Sequence, residues 1–319
     1  MVGVENSFKH NIPLAQYTTY RIGGPADLFA ETHSTEELVT LVTYGRHLGI
    51  PVFVFGGGTN ILVSDKGIRG LVIKNNSRRI RIRTIHGTGC KGIYSSRIFV
   101  EADSGVPFNM LVRHTIEDGL AGLETHLGLP GSVGGAVYMN SKWMHPMSFV
   151  GDVVHQAVIL TSEGRTRTVP KTFFQFGYDA SILQKTHDIV LAVVFMLAKG
   201  NMRKLWDIAD KTISYRRETQ PHGIQTAGCV FKNIPLATIT ALGLPHEFTS
   251  AGLILDKAGL KGIKIGDAQF SPVHANFIVN LKNARASDVI KLMDSARKQV
   301  KQKFGIELEE EIVRVGDYS

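Results

Sequence analysis

The fold of this chain is decided by residues 122–140, which read GLETHLGLPGSVGGAVYMN. The stretch holds five glycines and a proline with small residues between them, a composition that excludes a helix interior. Glycines let the backbone pass close to a ligand and turn its N–H groups toward phosphate oxygens. A long, tight loop packed against another loop fits the same composition, so both interpretations stay open for this stretch alone.

A second glycine cluster, residues 56–63 (GGGTNILV), follows the apolar run of residues 52–55 (VFVF). A short apolar run that ends in glycines is typical of a buried strand. Two glycine-rich loops, each beside an apolar segment, indicate a single nucleotide cofactor held by both.

The size and composition of the chain point to a globular protein of two or three domains. It has 319 residues, of which 43% are hydrophobic and 20% charged, as in soluble proteins. No apolar run reaches the roughly 18 residues of a membrane span. The N-terminus, MVGVEN, lacks the basic and apolar regions of a signal peptide. We therefore expect a cytoplasmic protein without a membrane span.

Cysteine content and charge narrow the function classes further. Cys90 and Cys229 are too few for a disulfide framework and form no CxxC pattern, so we predict no metal site. The net charge of +8 fits nucleic acid, anionic small molecules or a solvated surface. Basic residues are scattered apart from residues 78–83 (RRIRIR), which alternate with apolar residues as an exposed edge strand does. We expect no nucleic-acid partner.

Hydrophobic periodicity predicts helices alternating with strands up to residue 217. Ser34 or Thr35 caps a helix that Gly49 ends, and strands at 52–55 and 71–73 complete a small βαβ unit. The same periodicity predicts helices at 107–119 and 202–217, and strands at 80–85, 97–102, 153–160, 165–169 and 189–197.

Residues 87–92 (GTGCKG) match the dinucleotide fingerprint GxGxxG. The fingerprint requires a helix directly after it and an acidic residue about 20 positions on. A second strand follows here within a few residues, so we interpret the match as a hairpin turn.

The pattern changes beyond residue 217. Residues 218–285 are predicted to form loops and short strands, and residues 287–304 an amphipathic helix. Residues 307–315 alternate as a strand does.

Several of these segments, in this order, resemble the UDP-N-acetylenolpyruvoylglucosamine reductase (UDP-N-acetylmuramate dehydrogenase) family, in its shorter class. Any one segment is modest evidence, but their order and spacing over nearly the whole chain are specific. The matching segments are TTYRIGGPA at 18–26, GGGTNILV at 56–63, residues 128–140, AGCVFKN at 227–233, HANFIVN at 274–280 and LEEEI at 308–312.

The resemblance implies an α+β fold. A two-subdomain FAD-binding unit of the vanillyl-alcohol-oxidase (PCMH) type is followed by a C-terminal α+β substrate domain. The first subdomain would span residues 1–75, joined by the C-terminal strand 306–319. The second would span 76–200, and the substrate domain 201–305.

The resemblance also implies a peptidoglycan precursor enzyme with non-covalent FAD. NADPH gives a hydride to the flavin, which passes it to the enolpyruvyl ether of UDP-N-acetylglucosamine enolpyruvate. The partners expected are NADPH and the UDP-sugar, and the protein is expected to be a monomer. The residues implied to hold FAD are Arg21, Gly56, Gly57, Gly58, Thr59, Asn60, Ile61, Gly128, Pro130, Gly131, Ser132, Gly134, Gly135, Ala136 and Asn140.

Three residues match catalytic positions of the family. Cys229 stands where the family usually has a serine proton donor, and a thiol, with a pKa of about 8.5, is the better acid. An inert, buried cysteine is its alternative interpretation. Glu311 matches a glutamate that helps to bind the enolate, although Glu309 and Glu310 leave a register error of one residue possible. Tyr178 matches the active-site tyrosine.

Five further residues match positions near the UDP-sugar: Lys232, Asn233, Lys261, Gln269 and Arg216. For each of them, an ordinary polar residue of a loop is the alternative.

Asp179 is the serious departure from the family pattern. The family places an arginine there to bind the substrate carboxylate, which an aspartate would repel. Either a cation such as Lys142, His145 or Arg216 replaces it, or turnover is altered or lost. The alternatives are thus a flavoprotein that binds FAD and UDP-sugar without turnover, or another oxidase on the same flavin fold.

Overall fold

The structure, a computed structural model, describes residues 8–86 and 96–318. The chain divides into two compact units. One contains Phe29–Gly57 and Leu71–Arg216, and the other contains Lys9–Leu28, Gly58–Gly70 and the chain from Arg217 onward. The glycine cluster at 56–63 therefore spans a boundary between the units. The turn predicted at 87–92, with Cys90, lies outside the described residues.

The first unit begins with the predicted βαβ element. Its helix α1 (Thr35–His47) is capped by Ser34, whose Oγ accepts a hydrogen bond of 3.1 Å from the N–H of Glu37. Strands β3 (Val52–Phe55) and β5 (Ile68–Asn75) pair in parallel. Strand β5 also pairs with β2 (Pro25–Thr32), and the earlier strand β1 (Lys9–Pro13) belongs to the second unit. The βαβ prediction and its cap are confirmed.

A six-stranded antiparallel sheet forms the rest of the first unit. Its path runs β12-β11-β13-β7-β6, with β8 paired to β13. The bounds are β6 Ile80–His86, β7 Ser96–Asp103, β8 Leu120–Ala121, β11 Val154–Leu160, β12 Thr166–Pro170 and β13 Ile189–Lys199. The helices are α2 (Phe108–Glu117), α3 (Val133–Tyr138), α4 (Leu183–Thr186) and α5 (Met202–Thr219), and a hairpin of β9 (Lys142–Met144) and β10 (Met147–Phe149) follows α3. Apolar residues of α2 and α3 are buried with those of this sheet in one core.

The second unit combines a small sheet with a long helix. The sheet runs β14-β17-β16-β15, with β14 Gln225–Cys229, β15 Lys264–Ile265, β16 Ala268–Phe270 and β17 Phe277–Asn280. Helix α8 (Ala286–Phe304) buries Val289, Met293 and Val300 in its core. Asp65 caps the start of α8, accepting hydrogen bonds of 2.7 and 3.1 Å from the N–H groups of Ala286 and Ser287. Strand β18 (Val313–Val315) pairs in parallel with β4 (Ile61–Val63).

Two predictions about local structure are wrong. Residues 218–285 also contain helices α6 (Leu236–Ala241) and α7 (Ala251–Lys257), which at six and seven residues are too short to show a recognisable periodicity. Residues 133–138 form the helix α3, although they include two glycines. Ser132 caps it by accepting a hydrogen bond from Gly135, and its apolar residues are buried, which offsets the low helix propensity of glycine.

Candidate active site

The two glycine-rich loops approach each other within the first unit. A Cβ atom on Gly56 would lie 2.6 Å from Cβ of Ser132, and closer still to its Oγ. Real Cβ atoms do not come so close, so only glycine fits at position 56. The structure thus brings Gly56 and Gly57 to the beginning of α3, next to the loop that decides the fold.

Backbone N–H groups in both loops are left for a ligand. The described residues provide no hydrogen-bond acceptor for the N–H groups of Gly131 and Ser132, or for those of residues 57–60. Gly58 and Ser132 are buried, and a buried N–H without a partner is costly. N–H groups that converge from glycine-rich turns form an anion cradle. The N–H groups of residues 131–132 in the first unit, and separately those of residues 58–60 in the second, therefore each fit phosphate oxygens.

Gly134 differs from the expectation that glycine makes room for a cofactor, whereas Gly135 does not. A Cβ on Gly134 would lie 3.0 Å from Cβ of Ser104, so its lack of a side chain is explained by packing inside the protein. The N–H groups of Val133 and Gly134 bond to backbone carbonyls of residues 106 and 104. A Cβ on Gly135, by contrast, would meet no atom closer than 3.6 Å.

The other loop residues have distinct local roles. Gly128 has a φ of +87° and donates its N–H to Oδ1 of Asn109 at 2.7 Å. Ala136 is buried and Pro130 is exposed. Asn140 accepts a hydrogen bond of 2.9 Å from the N–H of Gly151 and donates one of 2.8 Å to the carbonyl of Gly177. The Asn140 amide is thus used to fasten the end of the loop.

The second unit holds the remaining predicted flavin residues. Arg21 is exposed with a φ of +55°, and its guanidinium donates to the Gln16 carbonyl at 2.7 Å. Residues 58–60 lead into β4, which begins at Ile61, and the carbonyl of Gly58 accepts a hydrogen bond from the N–H of Thr19.

Cys229 and Glu311 lie side by side in this unit. Cys229 ends β14 as a half-buried cysteine outside any disulfide. The N–H of Glu311 donates to the carbonyl of Val230, the next residue, at 2.9 Å. Asn60 donates its side-chain N–H to the carbonyl of Glu311 at 3.1 Å. A backbone hydrogen bond therefore joins the segments of Cys229 and Glu311, and the side chain of Asn60 joins the second glycine loop to Glu311.

The three consecutive glutamates differ in their partners. Glu310 is held between two arginines, Arg297 and Arg314, and its Oε2 lies 2.9 Å from Nε of Arg314. Glu309 is exposed and lies 3.6 Å from Nζ of Lys232. Glu310 is thus held in ion pairs, whereas Glu311 is joined by its backbone to Val230, and which glutamate acts in the reaction stays a prediction.

The predicted substrate residues of the second unit occupy varied surroundings. Lys232 pairs with Glu309, and Nζ of Lys261 lies 2.7 Å from Asp256. The side-chain oxygen of Asn233 accepts a hydrogen bond of 3.1 Å from the N–H of Ala251, at the start of α7. Gln269 donates to the carbonyl of Gly262 at 3.0 Å. The amides of Asn233 and Gln269 thus support the local backbone.

Arg216 packs against the β9–β10 hairpin. Its guanidinium lies 4.6 Å from the ring centroid of Trp143, and a Cβ on Gly128 would lie 3.0 Å from its Cδ. Tyr215 meets the Trp143 ring edge-on and bonds to Nε2 of His145 at 3.0 Å. Of the three cations considered as replacements for the family arginine, Arg216 and His145 thus belong to this aromatic cluster.

Lys142 is the third cation, and it forms an ion pair with Asp179. The side chains are 11% and 3% exposed. Nζ of Lys142 also lies 4.3 Å from the centroid of the Tyr178 ring, a cation–π arrangement. Of the three cations considered as replacements for the family arginine, Lys142 is thus the one paired with Asp179.

His126 is a buried neutral histidine in the loop. It is fully buried, and the described residues provide no hydrogen-bond partner for either of its ring nitrogens. Burial, and secondarily the charge of Arg216, lowers the pKa of His126 from 6.5 to about 4.

Comparisons with known proteins assign the two parts of the chain. A family model described as FAD binding domain matches residues 26–170. Another, described as UDP-N-acetylenolpyruvoylglucosamine reductase, C-terminal domain, matches residues 220–315. The UDP-N-acetylenolpyruvoylglucosamine reductase of Halalkalibacterium halodurans is 36% identical over 96% of this chain and 94% of its own length. That of Clostridium novyi is 33% identical over 99% and 94%.

The chain belongs to the UDP-N-acetylenolpyruvoylglucosamine reductase family. A solved member from Thermus caldophilus superposes with a TM-score of 0.74 at 30% identity, covering 96% of this chain and 99% of its own. A vanillyl-alcohol-oxidase-type flavoprotein from Myceliophthora thermophila shares the fold, with a TM-score of 0.50 at 9% identity over 88% of this chain and 69% of its own. The α+β fold with a flavin-binding unit of that type is confirmed, and the protein is an FAD-dependent oxidoreductase.

The membership confirms the cofactor prediction for FAD. Within the described ranges, no helix is both long and apolar enough to cross a membrane. The role of each site residue stays a prediction.

Sequence reasoning missed two features of the site. One is the ion pair between Lys142 and Asp179, which depends on the position of a hairpin. The other is the hydrogen bond from Asn60 to Glu311, which joins residues far apart in the chain. The alternating pattern of residues 308–312 (LEEEI) contains no signal that Asn60 bonds to Glu311.

Proposed function

We propose that this protein reduces the enolpyruvyl ether of UDP-N-acetylglucosamine enolpyruvate to UDP-N-acetylmuramate with NADPH, as a monomer, in peptidoglycan precursor synthesis. The observation that carries the proposal is the placement of Cys229 and Glu311. The N–H of Glu311 bonds to the residue after Cys229, and Asn60 of the glycine cluster bonds to Glu311. The closeness of these backbone segments supports Cys229 as the acid and Glu311 as the carboxylate of the family reaction.

The reaction adds one hydride and one proton across the carbon–carbon double bond of the enolpyruvyl group. When bound, FAD would supply hydride transfer from NADPH to the substrate, and residues 56–57 and 131–132 of the first unit would help to hold it. As the hydride adds to one carbon, the electron pair of the double bond moves toward the carboxylate. The protein must stabilise that charge and deliver a proton to the neighbouring carbon.

Cys229 is proposed to deliver the proton. It is half-buried at the end of β14, and the adjacent Gly228 has a φ of +86° with no atom within 4 Å of a Cβ built on it. The backbone before Cys229 is therefore not covered by other described residues on the side where a Gly228 side chain would lie. The thiolate left behind regains its proton from solvent.

Glu311 is proposed to hold the enolpyruvyl group against Cys229. Its backbone is fixed at both its N–H and its carbonyl, by Val230 and Asn60. A side chain on a doubly fixed backbone loses little freedom on binding, which favours productive orientation.

Lys232 and Lys261 are proposed to bind the substrate diphosphate. Their carboxylate partners, Glu309 and Asp256, are 78% and 43% exposed. Exposed ion pairs contribute little free energy, so a diphosphate can replace these carboxylates at low cost.

Asp179 favours a second candidate function, a protein that binds FAD and the UDP-sugar without turnover. Its negative charge would repel the substrate carboxylate, and Lys142 is already paired with it.

Steady-state oxidation of NADPH by the purified yellow protein separates the two functions. The reductase consumes NADPH in proportion to added UDP-N-acetylglucosamine enolpyruvate. A protein that binds this substrate, seen as a change in the flavin spectrum, but consumes no NADPH would be the binding protein. A protein that shows neither response would overturn both.

A further inference from the structure

Strand β6 is an open edge of the six-stranded sheet in the first unit. It pairs with β7 on one side, and no other strand among the described residues pairs with it. Ile80 and Ile82 alternate along it with Arg81 and Arg83, and residues 81–83 are exposed. The exposed edge strand predicted at this basic run is therefore confirmed.

The unpaired backbone groups of β6 belong to its isoleucines. In an antiparallel ladder, residue pairs that exchange hydrogen bonds alternate with pairs that do not. The N–H of Asp103 donates to the carbonyl of Arg79 at 3.0 Å, and the register carries this bonded pattern on to Arg81. Ile80 and Ile82 therefore direct their N–H and carbonyl groups away from β7, where the described residues provide no partner for them.

The two edges of this sheet differ in how they are protected. Proteins prevent unwanted pairing of an edge strand by keeping it short or by placing proline in it. Strand β12, at the opposite edge, has five residues and ends at Pro170. Strand β6 has seven residues, and the side chain of Ile82 is 38% exposed. A long edge strand with an exposed apolar side chain is a template for a further strand, so protection against pairing does not account for β6.

The side chains that β6 offers to a further strand are positively charged. Arg81 and Arg83 are two residues apart, so they lie on the same face of the sheet. Arg83 pairs with Glu101 of β7 at 3.4 Å, and its side chain is 63% exposed, which makes this a weak pair. The described residues place no carboxylate within ion-pair distance of Arg81. This edge is thus complementary to a strand with negative charge at alternate positions.

The same charges disfavour a second copy of this chain as the partner. Two copies of β6 paired in antiparallel fashion about Ile82 would set Arg81 of each copy opposite Arg83 of the other. Like charges directly opposite each other destabilise a strand pair. The partner that fits is therefore a different, acidic chain.

We propose that β6 binds an extended acidic segment of another protein, which adds to the sheet as an antiparallel strand. Acidic side chains at alternate positions of the segment pair with Arg81 and Arg83, and an apolar side chain between them covers Ile82. In this mode of recognition, main-chain hydrogen bonds give affinity and alternate side chains give specificity. The surface lies within the first unit and does not depend on the proposed function.

The test uses the FAD-loaded protein and synthetic peptides. The probe is a short fluorescein-labelled peptide in which glutamate alternates with valine and threonine. One control peptide has the same composition with its glutamates grouped together, and another has lysine in place of glutamate. Two further peptides are N-methylated, one on the residues between the glutamates and the other on the glutamates themselves.

Fluorescence anisotropy measures the affinity of each peptide, and hydrogen exchange followed by NMR measures the protection of the Ile80 and Ile82 N–H groups. We expect the alternating peptide to bind more tightly than both control peptides and to slow the exchange of these two groups. N-methylation between the glutamates should abolish binding, because in an antiparallel pair the N–H groups of those residues face β6. N-methylation of the glutamates should preserve it.

Charge reversal tests the two arginines. Arg81→Glu/Arg83→Glu should weaken binding of the alternating peptide at least about tenfold, because like charges then meet, and should bind the lysine peptide instead. Arg165→Glu/Arg167→Glu makes the same change at exposed arginines of the opposite edge and is the matched control, which should bind as wild type does. Flavin content and melting temperature check the fold of each variant, and the methylated peptides decide the question on the wild-type protein if a variant does not fold.

Several results would overturn the inference. Equal affinity for the alternating and grouped peptides, or for the two methylated peptides, would show attraction between charges without strand addition. An equal loss of binding in both charge-reversed variants would show that β6 is not the site. Tighter binding of a thymidine oligonucleotide than of the peptide, lost in Arg81→Glu/Arg83→Glu, would make this edge a nucleic-acid surface instead.

Discussion

At the scale of single residues, Cys229 is the first to test. Cys229→Ala should slow the transfer to the enolpyruvyl substrate by about 10²–10⁴-fold, because a general acid is lost. Reduction of the flavin by NADPH should be unchanged, and Cys229→Ser should keep much of the activity. Stopped-flow measurement of each half-reaction checks this. Equal substrate half-reaction rates for Cys229→Ala and wild type would remove Cys229 from the mechanism.

Glu310 and Glu311 form a matched pair of substitutions. Glu310→Gln weakens the ion pairs with Arg297 and Arg314, so we expect a loss of about 1–3 kcal/mol in unfolding free energy. Glu311→Gln should leave that free energy within error of wild type and slow the substrate half-reaction. Urea denaturation and stopped flow measure the two effects. If Glu310→Gln slowed the substrate half-reaction and Glu311→Gln lowered the unfolding free energy, Glu310 would be the glutamate that matches the family position.

We expect the buried His126 to make the folded protein less stable at acidic pH. Its pKa is depressed to about 4 in the folded state, so the unfolded state binds the proton first as the pH falls. The contribution of neutral His126 to the unfolding free energy is fully present above pH 6.5 and is lost as the pH falls toward 4. At about pH 5 the loss should be about 2 kcal/mol relative to neutral pH.

Urea denaturation at both pH values checks this expectation. His126→Gln should remove that part of the pH dependence, and His222→Gln, at an exposed histidine, should not. An unchanged pH dependence in His126→Gln would contradict the assignment.

Sequence reasoning reached some of these residues and not others. Cys229 and Glu311 could be predicted because each sits in a short segment whose order along the chain is characteristic. Their adjacency depends on one backbone hydrogen bond between distant segments, which no local sequence pattern predicts. The pairing of Lys142 with Asp179 depends on how a hairpin and a turn are fastened to Tyr138 and Asn140, so the sequence could only offer Lys142 as one of three cations.

At the scale of elements, the glycine loops carry the cofactor prediction. Gly56→Ala should lower both the melting temperature of the apoprotein and the flavin content, because its Cβ has no space beside Ser132. Gly135→Ala is the control for packing, since its Cβ meets no protein atom closer than 3.6 Å. We expect it to keep or raise the apoprotein melting temperature, as alanine favours a helix.

The flavin content of Gly135→Ala then tests whether FAD approaches α3. A reduced content in a fully stable apoprotein would place the cofactor against this residue. Full flavin content would remove Gly135 from the cofactor site.

Elements were predictable where their periodicity extends over several turns. Helix α1 has a cap, an acidic first turn and a buried face, and each is visible in the sequence. Helices α6 and α7 have six and seven residues, too few to establish a period. Helix α3 was excluded on its glycines, because the cap at Ser132 and the close approach to Ser104 depend on the rest of the fold.

At the scale of the whole molecule, the account requires a flavoprotein whose FAD is not covalently bound. The glycine loops offer backbone N–H groups, and residues 56–63 and 128–140 contain neither cysteine nor histidine. Acid precipitation should therefore release a yellow supernatant and leave a colourless pellet. A yellow pellet would contradict this prediction.

The central claim is that the protein, despite Asp179, transfers reducing equivalents to an enolpyruvyl ether. Anaerobic stopped-flow mixing of photoreduced protein with UDP-N-acetylglucosamine enolpyruvate tests it most directly. We predict that the flavin absorbance returns faster than in the substrate-free anaerobic control, at a rate that saturates with substrate concentration. Flavin that stays reduced at saturating substrate would contradict the account.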